Sequence, residues 1–134
     1  MGTTQSYFVR VIDAYAQAAQ DTTQVQVVDT TPPVVACNVP ATIANPPKGQ
    51  SFQASAQDIC DPNVDPVLSN YSCFKINGAG KVIDTTHACN VTLAGDTITI
   101  QHGTGIGTFI QWTATGTDHS GNHASVTCQT QITQ

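Results

Sequence analysis

The chain has 134 residues, a formal net charge of −5, nine acidic residues that are all aspartate, and only four Lys plus Arg. That length suits one domain with an appendage, and the scarcity of basic side chains argues against nucleic acid or an anionic membrane surface as a partner. No apolar run approaches the ~20 residues that a membrane-spanning helix needs, so no membrane insertion is expected. The absence of glutamate, the abundance of Thr, Val, Ile and Gln, and ten glycines with seven prolines together describe an all-β chain with frequent turns.

The opening "MGTTQS" fits a myristoylation pattern formally, but reads more simply as a start placed on a fragment. Residues 1–28 then form a segment of their own. Phe8, Val11, Tyr15 and Ala18 fall at helical spacing, so a short amphipathic helix is one reading. The preferred reading is strand–turn–strand, because the segment aligns without a gap on the C-terminal end of the chain. In that alignment Tyr7 falls on Trp112, Asp13 on Asp118, Ala19 on Ala124, Gln24 on Gln129 and Gln26 on Gln131. Residues 1–28 thus look like the end of a preceding repeat, or an assembly strand pair, followed by a whole unit over 29–134.

From Pro32 onward, short stretches of alternating residues are separated by turn signals. Val35, Cys37 and Val39 share one face; Phe52, Ala54 and Ala56 share the next. "VLSNYSCFKI" and "KVI" flank the hairpin turn "NGAG", with Tyr71 and Phe74 on opposite faces. Val91, Leu93, Ile98 and Ile100 follow. Ile110, Trp112 and Ala114 point one way, as do Ala124, Val126, Cys128 and Ile132. About seven short strands of this kind predict a two-sheet sandwich.

Five cysteines occupy positions 37, 60, 73, 89 and 128, and none forms C-x-x-C. Zinc-ribbon and thioredoxin-like readings are therefore weak, and an oxidising compartment is expected. Cys37 and Cys128 lie on the inner faces of the first and last strands, which makes them the expected disulfide. Asn70-Tyr71-Ser72 and Asn90-Val91-Thr92 are glycosylation sequons that matter only in a eukaryotic secretory host.

Asp118-His119-Ser120 offers the residue types of a catalytic triad, yet three consecutive residues cannot form a relay. A turn shaped by Asp118 and Ser120 and opened by Gly121-Asn122 is the better reading. His119 and His123 have half of a zinc-finger spacing but lack the cysteine half, and His87 and His102 could join only through the fold. Trp112 faces inward by alternation, so a core role outweighs carbohydrate stacking. Asp58, Asp61 and Asp65 form an acidic loop interrupted by Pro62 and Pro66, in which a turn or a calcium site are both natural. With no glutamate and every aspartate in or beside a turn, no paired-carboxylate catalysis is expected. The chain reads as a non-enzyme.

"VVDTTPPVVAC", "AQDICDPNVDP" and "WTATGTDHSGNHASVTC" together resemble the hyalin-repeat (HYR) and related bacterial immunoglobulin-like modules of secreted and surface proteins. The matches are Asp29 through Cys37, Asp58 through Pro62, and Thr113 through Cys128, the last departing by the inserted pair Gly116-Thr117. The resemblance implies an immunoglobulin-like sandwich over 29–134, extracellular or cell-surface localisation, and a structural or adhesive role beside neighbouring repeats, copies of itself, or surface glycans or proteins. It also implies a Cys60–Cys73 disulfide, for which Cys89 competes with Cys73. Finally it implies a calcium site between modules at Asp29, Asp118 and Asn122. Two further functions stay open: a filament or pilus-like subunit that uses residues 1–28 for strand complementation, and a carbohydrate-binding accessory module.

Overall fold

The computed structural model describes residues 3–12 and 18–134. Among the described residues the first two strands, β1 (Thr3–Ile12) and β2 (Ala18–Val27), pair only with each other, as an antiparallel ribbon. The two strands of the strand–turn–strand reading form and the helix does not; residues 13–17, where the turn with Asp13 and the helix's Tyr15 fall, lie outside the described residues. Beyond the ribbon come β3 (Val34–Ala36), β4 (Thr42–Ala44), β5 (Gln50–Gln53), β6 (Ser55–Gln57) and β7 (Val67–Ile76). The chain ends with β8 (Val82–Asp84), β9 (Asn90–Ala94), β10 (Thr97–His102), β11 (Phe109–Thr117) and β12 (His123–Thr133). The helical content of the described residues is one 3-10 turn, Thr86–Ala88.

These strands build an immunoglobulin-like sandwich. One sheet runs β4-β12-β11-β7-β8, and the facing one runs β5-β10-β9, with β3 and β6 paired beside it. The first sandwich strand is split in two. Its β3 half pairs antiparallel with β6, and its β4 half crosses over to run parallel to β12. The inward rows are the ones the alternation gives: Ile110, Trp112, Ala114, Cys128 and Ile132 from one sheet meet Val91, Ile98 and Ile100 from the other, all buried. Each large aliphatic side chain buried this way contributes roughly 1.5–3 kcal/mol. Trp112 is 1% exposed, a core residue, although its indole N–H is buried without a partner.

Two irregularities set the faces. In β7, Asn70 and Tyr71 together oppose Trp112, because Ser69 pairs with Thr113 and Ser72 with Gln111. Asn70 takes φ 56° in this bulge, a conformation that Asn tolerates better than most residues. Tyr71 is thereby turned onto the core, while Phe74 faces outward and stacks on Phe109 at 5.3 Å. In β11, a Cβ at Gly116 would sit 2.9 Å from Val35 Cγ2, so the inserted Gly116 is what lets β3 close over β11.

Two disulfides form. Cys37–Cys128 joins the first and last sandwich strands with Cα atoms 5.6 Å apart, as expected from their inner-face positions. The second is Cys73–Cys89, with Cα atoms 6.4 Å apart, and it replaces the Cys60–Cys73 pairing that the resemblance implied. The reason is topological. Cys73 is fully buried in β7, and the 3-10 turn after β8 is tied beside it through Thr85 N–H to the Cys73 carbonyl (2.8 Å) and Cys73 N–H to Thr86 Oγ1 (3.1 Å). That turn delivers Cys89. Cys60 sits in the loop after β6 as a free, exposed thiol.

The two disulfides close loops with sequence separations of 91 and 16 residues. Chain entropy then gives the first up to about 4–5 kcal/mol and the second about 3 kcal/mol. In urea unfolding, Cys37→Ala/Cys128→Ala is expected to lose more stability than Cys73→Ala/Cys89→Ala, and Gly116→Ala to lose about 1–3 kcal/mol through overpacking.

Candidate functional site

Three segments meet at one end of the sandwich: the linker 28–33 before β3, the loop 58–66 between β6 and β7, and the turn 118–122 between β11 and β12. Each is organised by an aspartate that accepts backbone N–H groups. Asp29 Oδ1 accepts from Thr31 N (2.9 Å). Asp58 Oδ1 accepts from Cys60 N (2.8 Å) and Asp61 N (3.0 Å). Asp118 Oδ1 accepts from Asn122 N (2.9 Å), closing a turn in which Gly121 takes φ 89°.

The segments are then tied to one another. The Asn122 side-chain amide donates to Asp118 Oδ2 (2.9 Å) and to the main-chain oxygen of Asp29 (3.0 Å). Asp61, 3% exposed, accepts from Asn63 N through Oδ1, while its Oδ2 takes both the backbone N–H (2.9 Å) and Nδ1 of His119. His119 itself projects outward, its side chain 64% exposed. The His119 side chain, then the Asn63 N–H, hold the Asp61 carboxyl below the ordinary aspartate value. At Asp118 burial pushes the pKa up, but hydrogen bonds from Asn122 and Ser120, with a contribution from the Asp29 side chain, outweigh it and leave the value lowered.

Asp29, Asp118 and Asn122, named from the resemblance, are thus brought together. Asn122 presents its amide nitrogen to the other two, and both Asp118 oxygens are engaged. The acidic loop, by contrast, is split. Asp61 turns to His119, Asp65 lines a separate groove, and Asp58 turns to Asp29. His123 begins β12 on the exposed side.

The residues that sequence reasoning did not join are Asp58 and Cys60 with Asp29. One ligand-type atom from each lies within 4.8 Å of the others. Asp29 Oδ2 and Asp58 Oδ2 are buried with no hydrogen-bond partner. Desolvation, then the charges of Asp29 and Asp58, push the Cys60 thiol up. The only sequence signal for this cluster is topological: a loop after the second sandwich strand and the lead-in to the first meet at one end of an immunoglobulin-like sandwich.

The groove is shallow and open, about 330 Å³, and is lined by Asn38, Gln53, Val64, Asp65 and Asp96 among others, with no aromatic side chain. Its polar groups already bond one another, as in Asn38 Nδ2 to Ser55 Oγ (2.9 Å) and Gln53 Nε2 to Asp96 Oδ2 (2.8 Å).

In comparisons with known proteins, no family model and no curated protein matches this chain.

The lowered aspartates fix the sign of an acid response. A carboxyl that binds its proton less readily folded than unfolded stabilises fully above the unfolded value, about 3.8 here. That contribution is lost as pH falls through the folded value. The urea midpoint is therefore expected to fall between about pH 5 and about pH 2. Asp61→Asn should be less stable near neutrality and show a shallower acid slope.

Proposed function

We propose that this chain carries one complete unit, residues 29–134, of a tandem array on a secreted or surface protein, with a non-enzymatic structural or adhesive role. Residues 3–27 are then the closing hairpin of the unit before it. The observation that carries the reading is strand register. Tyr7 pairs with Thr23 in the ribbon, and the shift that moves Tyr7 onto Trp112 moves Thr23 onto Cys128, the residue that Trp112 pairs with. The same shift carries the last ribbon pair, Ile12 with Ala18, onto Thr117 with His123. Sequence alignment and strand register thus agree from the pair Thr4 with Gln26 to the pair Ile12 with Ala18, as expected of one structural unit present twice.

Other features support the same reading. Two disulfides in a small β domain belong to oxidising compartments. Among the described residues no helix is long and apolar enough to cross a membrane. The open groove without aromatic residues and the buried Trp112 give little to a carbohydrate module.

A filament subunit is the second reading. A lone two-stranded ribbon is marginal in water, and Val25 and Val27 are 46% and 60% exposed, which leaves an apolar surface for a neighbouring copy. Sedimentation velocity of residues 1–134 and 29–134 over a range of concentrations separates the two. The array reading expects both to be monomeric, with the same unfolding midpoint. Assembly that disappears when residues 1–28 are removed would give first place to the filament.

A further inference from the structure

We propose that Asp29, Asp58 and Cys60 form a binding site for a borderline divalent cation of the Zn²⁺ type, with two carboxylate oxygens and one thiolate as ligands and the remaining position open to solvent. The three candidate ligand atoms already lie within 4.8 Å of one another. What marks the cluster as more than an acidic corner is Asp29. The residue is 6% exposed, and its Oδ2 is buried with no hydrogen-bond partner. Asp58 Oδ2 is buried and unpartnered in the same way. Leaving such an acceptor dry and unpaired is costly, and a cation removes that cost directly.

The local structure presets the geometry. Each free oxygen belongs to a carboxyl group whose other oxygen is anchored, Asp29 by Thr31 N and Asp58 by Cys60 N and Asp61 N. The Asp58 turn that orients its carboxyl also places Cys60 beside it. No Lys or Arg among the described residues pairs with the cluster; the one ion pair there is His119 with Asp61, on the neighbouring carboxyl.

The donor set selects the class of ion. A hard cation such as Ca²⁺ takes six to eight oxygen ligands. Here both oxygens of Asp118 and of Asp61 are already bonded, and Asn122 offers nitrogen. Two carboxylate oxygens plus one sulfur, with an open fourth position, suit a small borderline ion that accepts mixed O and S ligands. Binding would release the Cys60 thiol proton to solvent, and would clamp the linker before β3 to the loop after β6. The site shares only Asp29 with the calcium set implied by the resemblance, and it does not depend on how residues 3–27 are assigned.

The test is Zn²⁺ titration by calorimetry of the disulfide-intact chain, without reductant, alongside the rate of iodoacetamide alkylation of Cys60. One ion per chain is expected, with alkylation slowed at stoichiometric Zn²⁺. Cys60→Ser and Asp58→Asn should each weaken binding by more than about 10-fold, the scale on which even outer-sphere partners act, and His123→Ala should leave it unchanged. Asn at position 58 keeps the acceptor that builds the turn, so Asp58→Asn should match or exceed the parent in stability with chelator present and fall below it with Zn²⁺. Asp29→Asn should repeat this pattern. Zn²⁺ binding that survives Cys60→Ser, an alkylation rate indifferent to Zn²⁺, or Ca²⁺ binding in preference to Zn²⁺ would each overturn the assignment.

Discussion

An aspartate carboxyl oxygen can accept a backbone N–H from a few residues further on, and this chain builds its loops on that interaction. Having no glutamate and almost no cations, it uses aspartate as a turn former: at Asp29, Asp58, Asp61, Asp84 and Asp118 a side-chain oxygen accepts an N–H from two to four residues on. Four of these five lie at the same end of the sandwich. The path of the linker and the position of Cys60 follow from turns closed this way. Long-range ties then knit the turns together, Asp61 to His119 and Asn122 to Asp29. Asp61 and Asp118 are stable when buried because hydrogen bonds to both of their oxygens replace the water they lose.

The body of the domain rests on different physics. Two rows of alternating apolar residues face each other, and Cys37–Cys128 staples the first strand to the last. The alternation was readable in the sequence because a period of two leaves little freedom once one face is buried. Val35 and Cys37, Ile98 and Ile100, and Ile110 through Ala114 fall where the pattern puts them. The first and last strands had inner-face cysteines, so their bond was readable too.

What the sequence did not reveal depends on contacts between distant segments. Thr42–Ala44 is too short to show a period, and only its parallel pairing with β12 makes it a strand. The β7 bulge at Asn70 has no side-chain signature beyond an Asn. Cys89 wins Cys73 through a 3-10 turn whose anchors, Thr85 and Thr86, look like any other threonines. The same holds at the loop end. Asp58, Asp61 and Asp65 look like one acidic cluster in the sequence, but the fold sends each to a different neighbour. The calcium set Asp29, Asp118 and Asn122 converges, with Asn122 presenting its amide nitrogen to both aspartates.

The proposed array rests on the hairpin, whose register repeats that of β11 and β12 while its edges pair with nothing else among the described residues. Native-state hydrogen exchange tests this most directly, because it reports which strands open together. If residues 3–27 belong to a preceding unit, their amides should exchange far faster than those of β10, β11 and β12. Sandwich protection should also be the same in residues 29–134 alone. Hairpin amides protected to the level of the core, and a core that loses protection when the hairpin is deleted, would contradict the account and make residues 1–134 one cooperative domain.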